Sequence, residues 1–126
     1  MTLQKISALA LAFVLLPLAV LAADAPNISG TWTASFDTQI GKQDYTYTFV
    51  VKGSQLTGRA KSANGDTEIS DGKVDGTKVT FVENFTFQGM PLRIVYTGTV
   101  TSADQIDFTR DVAGIAMEKL TAKRAK

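Results

Sequence analysis

The segment that decides the fold reads Asp44-Tyr45-Thr46-Tyr47-Thr48-Phe49-Val50-Val51. Aromatic side chains at its odd positions alternate with polar side chains at its even positions as far as Phe49. A period of two places successive side chains on opposite faces of a β-strand, one face buried and the other in water. The segment therefore predicts a strand at residues 43–52 with an aromatic inner face.

The same period recurs along the chain, and no helical period is sustained after Pro26. Turn-forming Gly, Asp and Asn residues separate the alternating segments about every 10 to 14 residues, which is typical of hairpin-connected strands. The fourth segment contains a change of parity between Ile69 and Val74, so a bulge is expected near Asp71 and Gly72. The pattern predicts an all-β fold of eight strands, at residues 30–38, 43–52, 56–62, 67–74, 78–87, 92–100, 105–112 and 118–124.

Hairpin-connected strands of this number form either a sandwich or a barrel. Gly58, Gly72 and Gly98 favour the barrel, because strands must bend sharply for a sheet to close. The outer faces of the first three strands carry Thr, Asp, Lys and Arg, which argues against a barrel that faces lipid. We therefore predict a single eight-stranded antiparallel up-and-down barrel.

An export signal precedes the predicted barrel. Lys5 provides the positive charge, residues 6–21 are apolar, and small residues ending at Ala23 provide a cleavage site. We expect a signal peptide at residues 1–23, a linker at 24–29 and a barrel domain at 30–126, in a secreted or periplasmic protein. A retained membrane anchor is the alternative, although the apolar run is short beside the about 20 residues of a spanning helix. No transmembrane segment is expected after cleavage.

The composition excludes several classes of chemistry. The chain has no cysteine and no histidine, so it has no disulfide, no thiol nucleophile, no Ser-His-Asp triad and no ordinary zinc site. Its net charge is +1, which gives no broad field for nucleic acid. Asp104, Asp107 and Asp111 lack the ligand spacing of a calcium loop. We therefore expect no catalytic residues, no metal, no cofactor and no nucleic-acid partner.

The first strand opens with Gly30-Thr31-Trp32, and Arg124 ends the last strand. This arrangement resembles the Gly-x-Trp opening of the calycins, the superfamily that includes lipocalins, avidins and fatty-acid-binding proteins. The resemblance implies a lipocalin-like barrel in which Arg124 packs over Trp32 and closes one end. A cation over an indole face contributes on the order of 0.5–2 kcal/mol.

A wider set of short motifs resembles small exported bacterial domains of unassigned function. It comprises Gly30-Thr31-Trp32, Leu56-Thr57-Gly58, residues 71–76, residues 96–100 and the terminal Lys123-Arg124. The chain departs from lipocalins in being short and without cysteine, and from avidins in having one tryptophan. The resemblance therefore implies the fold, and the ligands of those families do not carry over.

The loops of an up-and-down barrel alternate between its two ends. Residues 39–42, 63–66, 88–91 and 113–117 are expected to share the end opposite Trp32 and Arg124, and they include apolar side chains. Such residues at a barrel mouth mark a ligand entrance or a partner surface, unless they fold inward to plug the core. The candidate ligand-binding residues at the mouth and in the interior are Ile40, Lys42, Tyr45, Tyr47, Met90, Tyr96, Ile115 and Met117.

Glu83 shares its parity with the inward phenylalanines of the fifth strand. Three interpretations stay open. It is a buried acid with a raised pKa, a partner of Arg93 or Arg110 on a neighbouring strand, or a residue turned to solvent by a bulge.

Three functions follow from this pattern. The first is non-catalytic binding of a small apolar or amphiphilic ligand at the open end, oriented by Tyr45, Tyr47 or Lys42. The second is a protein-interaction or envelope-structural module that uses the same apolar rim around a filled barrel. The third is a hydrolase built on carboxylates alone, with Glu83 and a neighbouring acid. We prefer the first, in which the protein is not an enzyme.

Overall fold

A computed structural model describes residues 26–126, so the predicted signal peptide and the first two residues of the predicted linker lie outside the described part. Eight antiparallel strands form a closed barrel in sequence order. The strands are β1 (Gly30–Thr38), β2 (Gly41–Lys52), β3 (Gln55–Ser62), β4 (Gly65–Asp75), β5 (Lys78–Phe87), β6 (Met90–Ser102), β7 (Gln105–Val112) and β8 (Ala116–Arg124).

The predicted all-β barrel and its eight strands are confirmed. β1, β5 and β7 have the predicted bounds, whereas β2, β3, β4, β6 and β8 extend one or two residues further into the turns at one or both ends. The expected bulge is present, because the β4–β5 register shifts between Ser70 and Lys73 and Asp71 has a positive φ of 52°. Connections of two or three residues hold successive strands side by side.

Aromatic side chains fill much of the interior of the barrel. Along β1 and β2 the rings of Phe36, Tyr45, Tyr47 and Phe49 stack in a column, with centroid separations of 5.6, 5.3 and 5.8 Å. Phe81 of β5 stacks against Tyr96 of β6 at 4.3 Å. The alternation seen in the sequence thus produces a core of interdigitated rings, held by apolar burial and aromatic packing.

Trp32 and Arg124 close the end of the barrel that we call the floor. The guanidinium carbon of Arg124 lies 4.5 Å from the Trp32 ring centroid. Arg124 also donates hydrogen bonds to the carbonyl oxygens of Asn27, Ser29 and Ala103, at 2.9 to 3.1 Å. The described end of the predicted linker lies against this floor, where Ile28 is buried and accepts a hydrogen bond from Trp32 Nε1 at 2.9 Å.

The floor is also where β1 meets β8. Two residue pairs join these strands, Trp32 with Arg124 and Thr33 with Lys123. Arg124 therefore stands at the junction that closes the barrel.

Within residues 26–126 no helix has the length and apolar character needed to cross a bilayer.

The floor gives the first testable prediction. Arg124→Lys keeps the charge over Trp32 but loses the planar fork that bonds three carbonyl groups, so we expect the free energy of unfolding to fall by about 1–2 kcal/mol. Chemical denaturation measures this change. Lys123→Arg on the exposed face of the same strand is the control, with an expected change within about 0.5 kcal/mol. Equal stability of Arg124→Lys and the unmodified protein would show that the fork contributes nothing.

Candidate functional site

A cavity of about 230 Å³ opens at the end of the barrel opposite the floor. We call this end the mouth; it is formed by the turns β1–β2, β3–β4, β5–β6 and β7–β8. Apolar side chains dominate the wall of the cavity, and polar groups lie on its inner surface. The lining residues are Thr38, Gln39, Ile40, Gln43, Tyr45, Asn64, Phe85, Phe87, Met90, Leu92, Ile94, Arg110, Val112, Ile115, Ala116 and Glu118.

Four of the eight candidate ligand-binding residues line this cavity. They are Ile40, Tyr45, Met90 and Ile115. Ile40, Met90 and Ile115 are 47, 59 and 65% exposed, so they form an apolar rim and do not plug the core.

The other four candidates lie elsewhere. Lys42 is exposed and does not line the cavity. Met117 is 66% exposed and lies between Ala116 and Glu118, whose side chains do line the cavity, so it belongs to the outer face of β8. Tyr47 and Tyr96 are buried below the cavity, within the aromatic core. These two tyrosines support the site from beneath.

Glu83 of β5 is the centre of a buried polar network below the cavity. It is 1% exposed, which excludes the interpretation that a bulge turns it to solvent. The hydroxyl of Tyr45 donates to Oε2 at 3.0 Å, and the hydroxyl of Tyr96 donates to Oε1 at 2.9 Å. The hydroxyls of Tyr96 and Tyr47 are 3.0 Å apart. Both carboxylate oxygens of Glu83 therefore have a hydrogen-bond donor from the core.

Arg110 of β7 supplies the positive charge of this network. Its Nη1 donates to the Tyr96 hydroxyl at 2.7 Å and lies 4.0 Å from Glu83 Oε1. Its guanidinium carbon is 5.1 Å from the ring centroids of both Phe36 and Tyr45. Of the two arginines considered as partners of Glu83, Arg110 is the one in place. Arg93 lies instead near Asp71, at 3.9 Å, and both of those side chains are exposed.

Glu118 of β8 completes the group of charges. Its Oε1 lies 2.8 Å from Arg110 Nε, within ion-pair distance. The contact is an ion pair, and within the described residues neither atom forms a well-aligned hydrogen bond.

Burial sets the protonation behaviour of the network. Removal from water raises the pKa of the Glu83 carboxyl above its ordinary value, although the charge of Arg110 and the hydroxyls of Tyr96 and Tyr45 act in the opposite direction. Burial also raises the pKa of the Tyr45, Tyr47 and Tyr96 hydroxyls, so all three stay protonated at neutral pH. Tyr45 and Tyr96 are therefore hydrogen-bond donors to the carboxylate.

Glu118 is not among the residues predicted from the sequence, and Arg110 was predicted only as one of two partners for Glu83. A signal for both was present. Arg110 shares its parity with the apolar residues Ile106 and Phe108, and Glu118 shares its parity with the apolar residues Leu120 and Ala122. Charged residues at inward positions on neighbouring strands, near the mouth, predict a polar group in the interior.

The arrangement offers an apolar chamber with a charged inner end. Phe85, Phe87 and Leu92 line the apolar part of this chamber, and Arg110 and Glu118 lie at its inner end. Within residues 26–126 no group of three or more acidic, histidine or cysteine side chains comes together as a metal site.

The chain matches no family model and no curated protein at a significant level.

Proposed function

We propose that this protein is an exported, non-catalytic carrier that binds a small amphiphilic ligand in the mouth cavity. The observation that carries the proposal is the cavity itself, about 230 Å³, apolar along its wall and charged at its inner end. Concave apolar sites with a few convergent polar groups are the usual form of small-molecule sites. The predicted signal peptide supports the export part of the proposal.

The size of the cavity limits the ligand. An apolar cavity of about 150 Å³ holds benzene. By proportion, a cavity of 230 Å³ suits about nine non-hydrogen atoms. A longer apolar chain extends through the mouth and contacts the rim residues Ile40, Met90 and Ile115. Apolar burial supplies most of the affinity, at roughly 25 cal/mol for each Å² removed from water.

The state of Glu83 supports binding over hydrolysis. A hydrolase that uses two carboxyl groups needs both of them within reach of its substrate. Glu83 is 1% exposed, and both of its oxygens accept hydrogen bonds from tyrosines. Glu83 therefore stabilises the charge of Arg110 from below the cavity. A substrate in the cavity has no access to Glu83.

A binding experiment with a matched pair of variants tests the proposal. The probe is 1-octanol, titrated into isotopically labelled protein and followed by NMR. Saturable shifts confined to the cavity lining are expected. Ala116→Phe places a ring in the cavity and abolishes them, whereas Met117→Phe places the same ring on the outer face and leaves them unchanged. Shifts scattered over the surface, or equal responses of the two variants, contradict the proposal.

The exposed rim favours one alternative function. Ile40, Met90, Ile115 and Met117 together present apolar surface around the mouth, as expected of a docking site for a protein partner. The alternative predicts no octanol binding and capture of a partner that Met117→Asp abolishes. Met117 distinguishes the two functions because it lies on the outer face of β8 beside the rim and does not line the cavity.

A further inference from the structure

The charges at the inner end of the cavity are unequal. Glu83 is 1% exposed, Arg110 is 5% exposed, and the side chain of Glu118 is 9% exposed. With both carboxyl groups ionised, one guanidinium faces two carboxylates. A net negative charge enclosed by protein attracts a cation more strongly than the same charge at the surface, because water screens it less.

The two carboxylates differ in what they offer to a ligand. Glu83 lies below the cavity, with a tyrosine hydroxyl bonded to each oxygen. Glu118 lines the cavity, and its Oε1 forms an ion pair with Arg110 Nε at 2.8 Å without an aligned hydrogen bond within the described residues. Because Glu118 shares Arg110 with Glu83, its carboxylate can accept a further charged hydrogen bond from a ligand that brings a donor.

We propose that the ligand carries a protonated amine, which Glu118 binds at the inner end of the cavity. This inference rests on the proposed function and names the chemical class of its ligand. An ammonium group supplies both the missing positive charge and N–H donors. A carboxylate head would add a third negative charge beside Arg110, and a hydroxyl head would supply a donor without the charge. The expected occupant is therefore an apolar amine of about nine non-hydrogen atoms.

Three ligands of one length separate these cases: octylamine, 1-octanol and octanoate. Calorimetric titration of the folded protein at pH 7 is expected to give octylamine an affinity at least about tenfold above that of octanol, since a hydrogen bond to a charged group contributes more than a neutral one. Octanoate is expected to bind most weakly. This comparison uses the unmodified protein, so it does not depend on whether any variant folds.

Glu118→Gln then tests which residue carries the preference. The variant keeps the size of the side chain and removes its charge, so the ratio of the octylamine affinity to the octanol affinity is expected to fall about tenfold. Asp37→Asn is the control, because this substitution removes the same net charge. Asp37 is an exposed acid of β1 and does not line the cavity. Thermal unfolding of each variant confirms that it is folded before titration.

The outcomes separate this inference from the function on which it rests. Octanol that binds in the cavity while octanoate equals or exceeds octylamine overturns the amine and leaves the carrier in place. Failure of all three octyl compounds to bind overturns both proposals. An amine preference that Glu118→Gln and Asp37→Asn reduce equally reflects the overall charge of the protein, and it overturns the assignment to Glu118.

Discussion

Arg110→Met is expected to lower the free energy of unfolding by about 3–5 kcal/mol at pH 7, because removal of one partner leaves a buried charge without compensation. Glu83 is 1% exposed, and Arg110 is the cation beside it, at 4.0 Å. Methionine replaces much of the apolar length of the arginine side chain, so the loss reports mainly on the charge. Urea denaturation followed by circular dichroism measures it.

The expected loss depends on pH, and its sign follows from the raised pKa of Glu83. In the folded protein this carboxyl binds a proton more readily than in the unfolded chain, so its contribution favours folding at low pH and is lost as the pH rises through its folded pKa. Removal of Arg110 raises that pKa further, because its charge is the largest of the influences that favour the carboxylate. Arg110→Met is therefore expected to recover part of its stability between pH 7 and pH 5, relative to the unmodified protein.

Two further variants show whether the charge is the cause. The double variant Glu83→Gln/Arg110→Met removes Arg110 and the more deeply buried of its two acidic partners, so it is expected to be more stable than Arg110→Met alone. Arg59→Met removes the same residue type from an exposed pair with Asp66, at 2.8 Å, and is expected to cost less than about 1 kcal/mol. Equal losses for Arg59→Met and Arg110→Met, or a loss that does not vary with pH, would contradict a buried charge pair.

The interior position of Arg110 was predictable from the sequence, but its choice as the partner of Glu83 was not. Alternation along β7 places Arg110 on the same face as Phe108. The choice between Arg93 and Arg110 depends on side-chain direction and on register between strands. In the barrel Glu83 lies opposite Ile94, and Tyr96 lies opposite Arg110. A period of two fixes the face of each residue and leaves the offset between strands to the turns.

The cavity was the least predictable feature for a similar reason. Tyr45, Tyr47 and Phe49 were all expected to be inward, and all three are. Whether inward rings fill a barrel or leave space depends on how their volumes sum at each level of the interior. Near the floor the side chains of Trp32 and Phe49 fill the interior. At the mouth Ile40, Met90 and Ile115 stay on the rim, and the cavity lies between them. Alternation carries no information about that sum.

Gly58→Ala is expected to destabilise the barrel by about 3 kcal/mol or more, through overpacking and backbone strain together. Gly58 is one of the glycines at which the strands were expected to bend, and its φ of +149° lies in the region that side chains disfavour. A Cβ atom at this position would overlap the carbonyl oxygen of Thr48 on β2. That oxygen belongs to the backbone of the neighbouring strand, so it moves only if the β2–β3 pairing is disturbed.

The matched control for this substitution is Gly76→Ala in the β4–β5 turn. Gly76 also has a positive φ, +60°, but a Cβ atom there would meet nothing within 4 Å. Only the strain of the backbone remains, and the expected loss is about 1 kcal/mol. Thermal and urea unfolding compare the two variants, and failure of Gly58→Ala to fold counts as the larger loss. Similar losses at both positions would show that close approach of β2 and β3 is not what requires glycine, and that the bend at Gly58 serves backbone conformation alone.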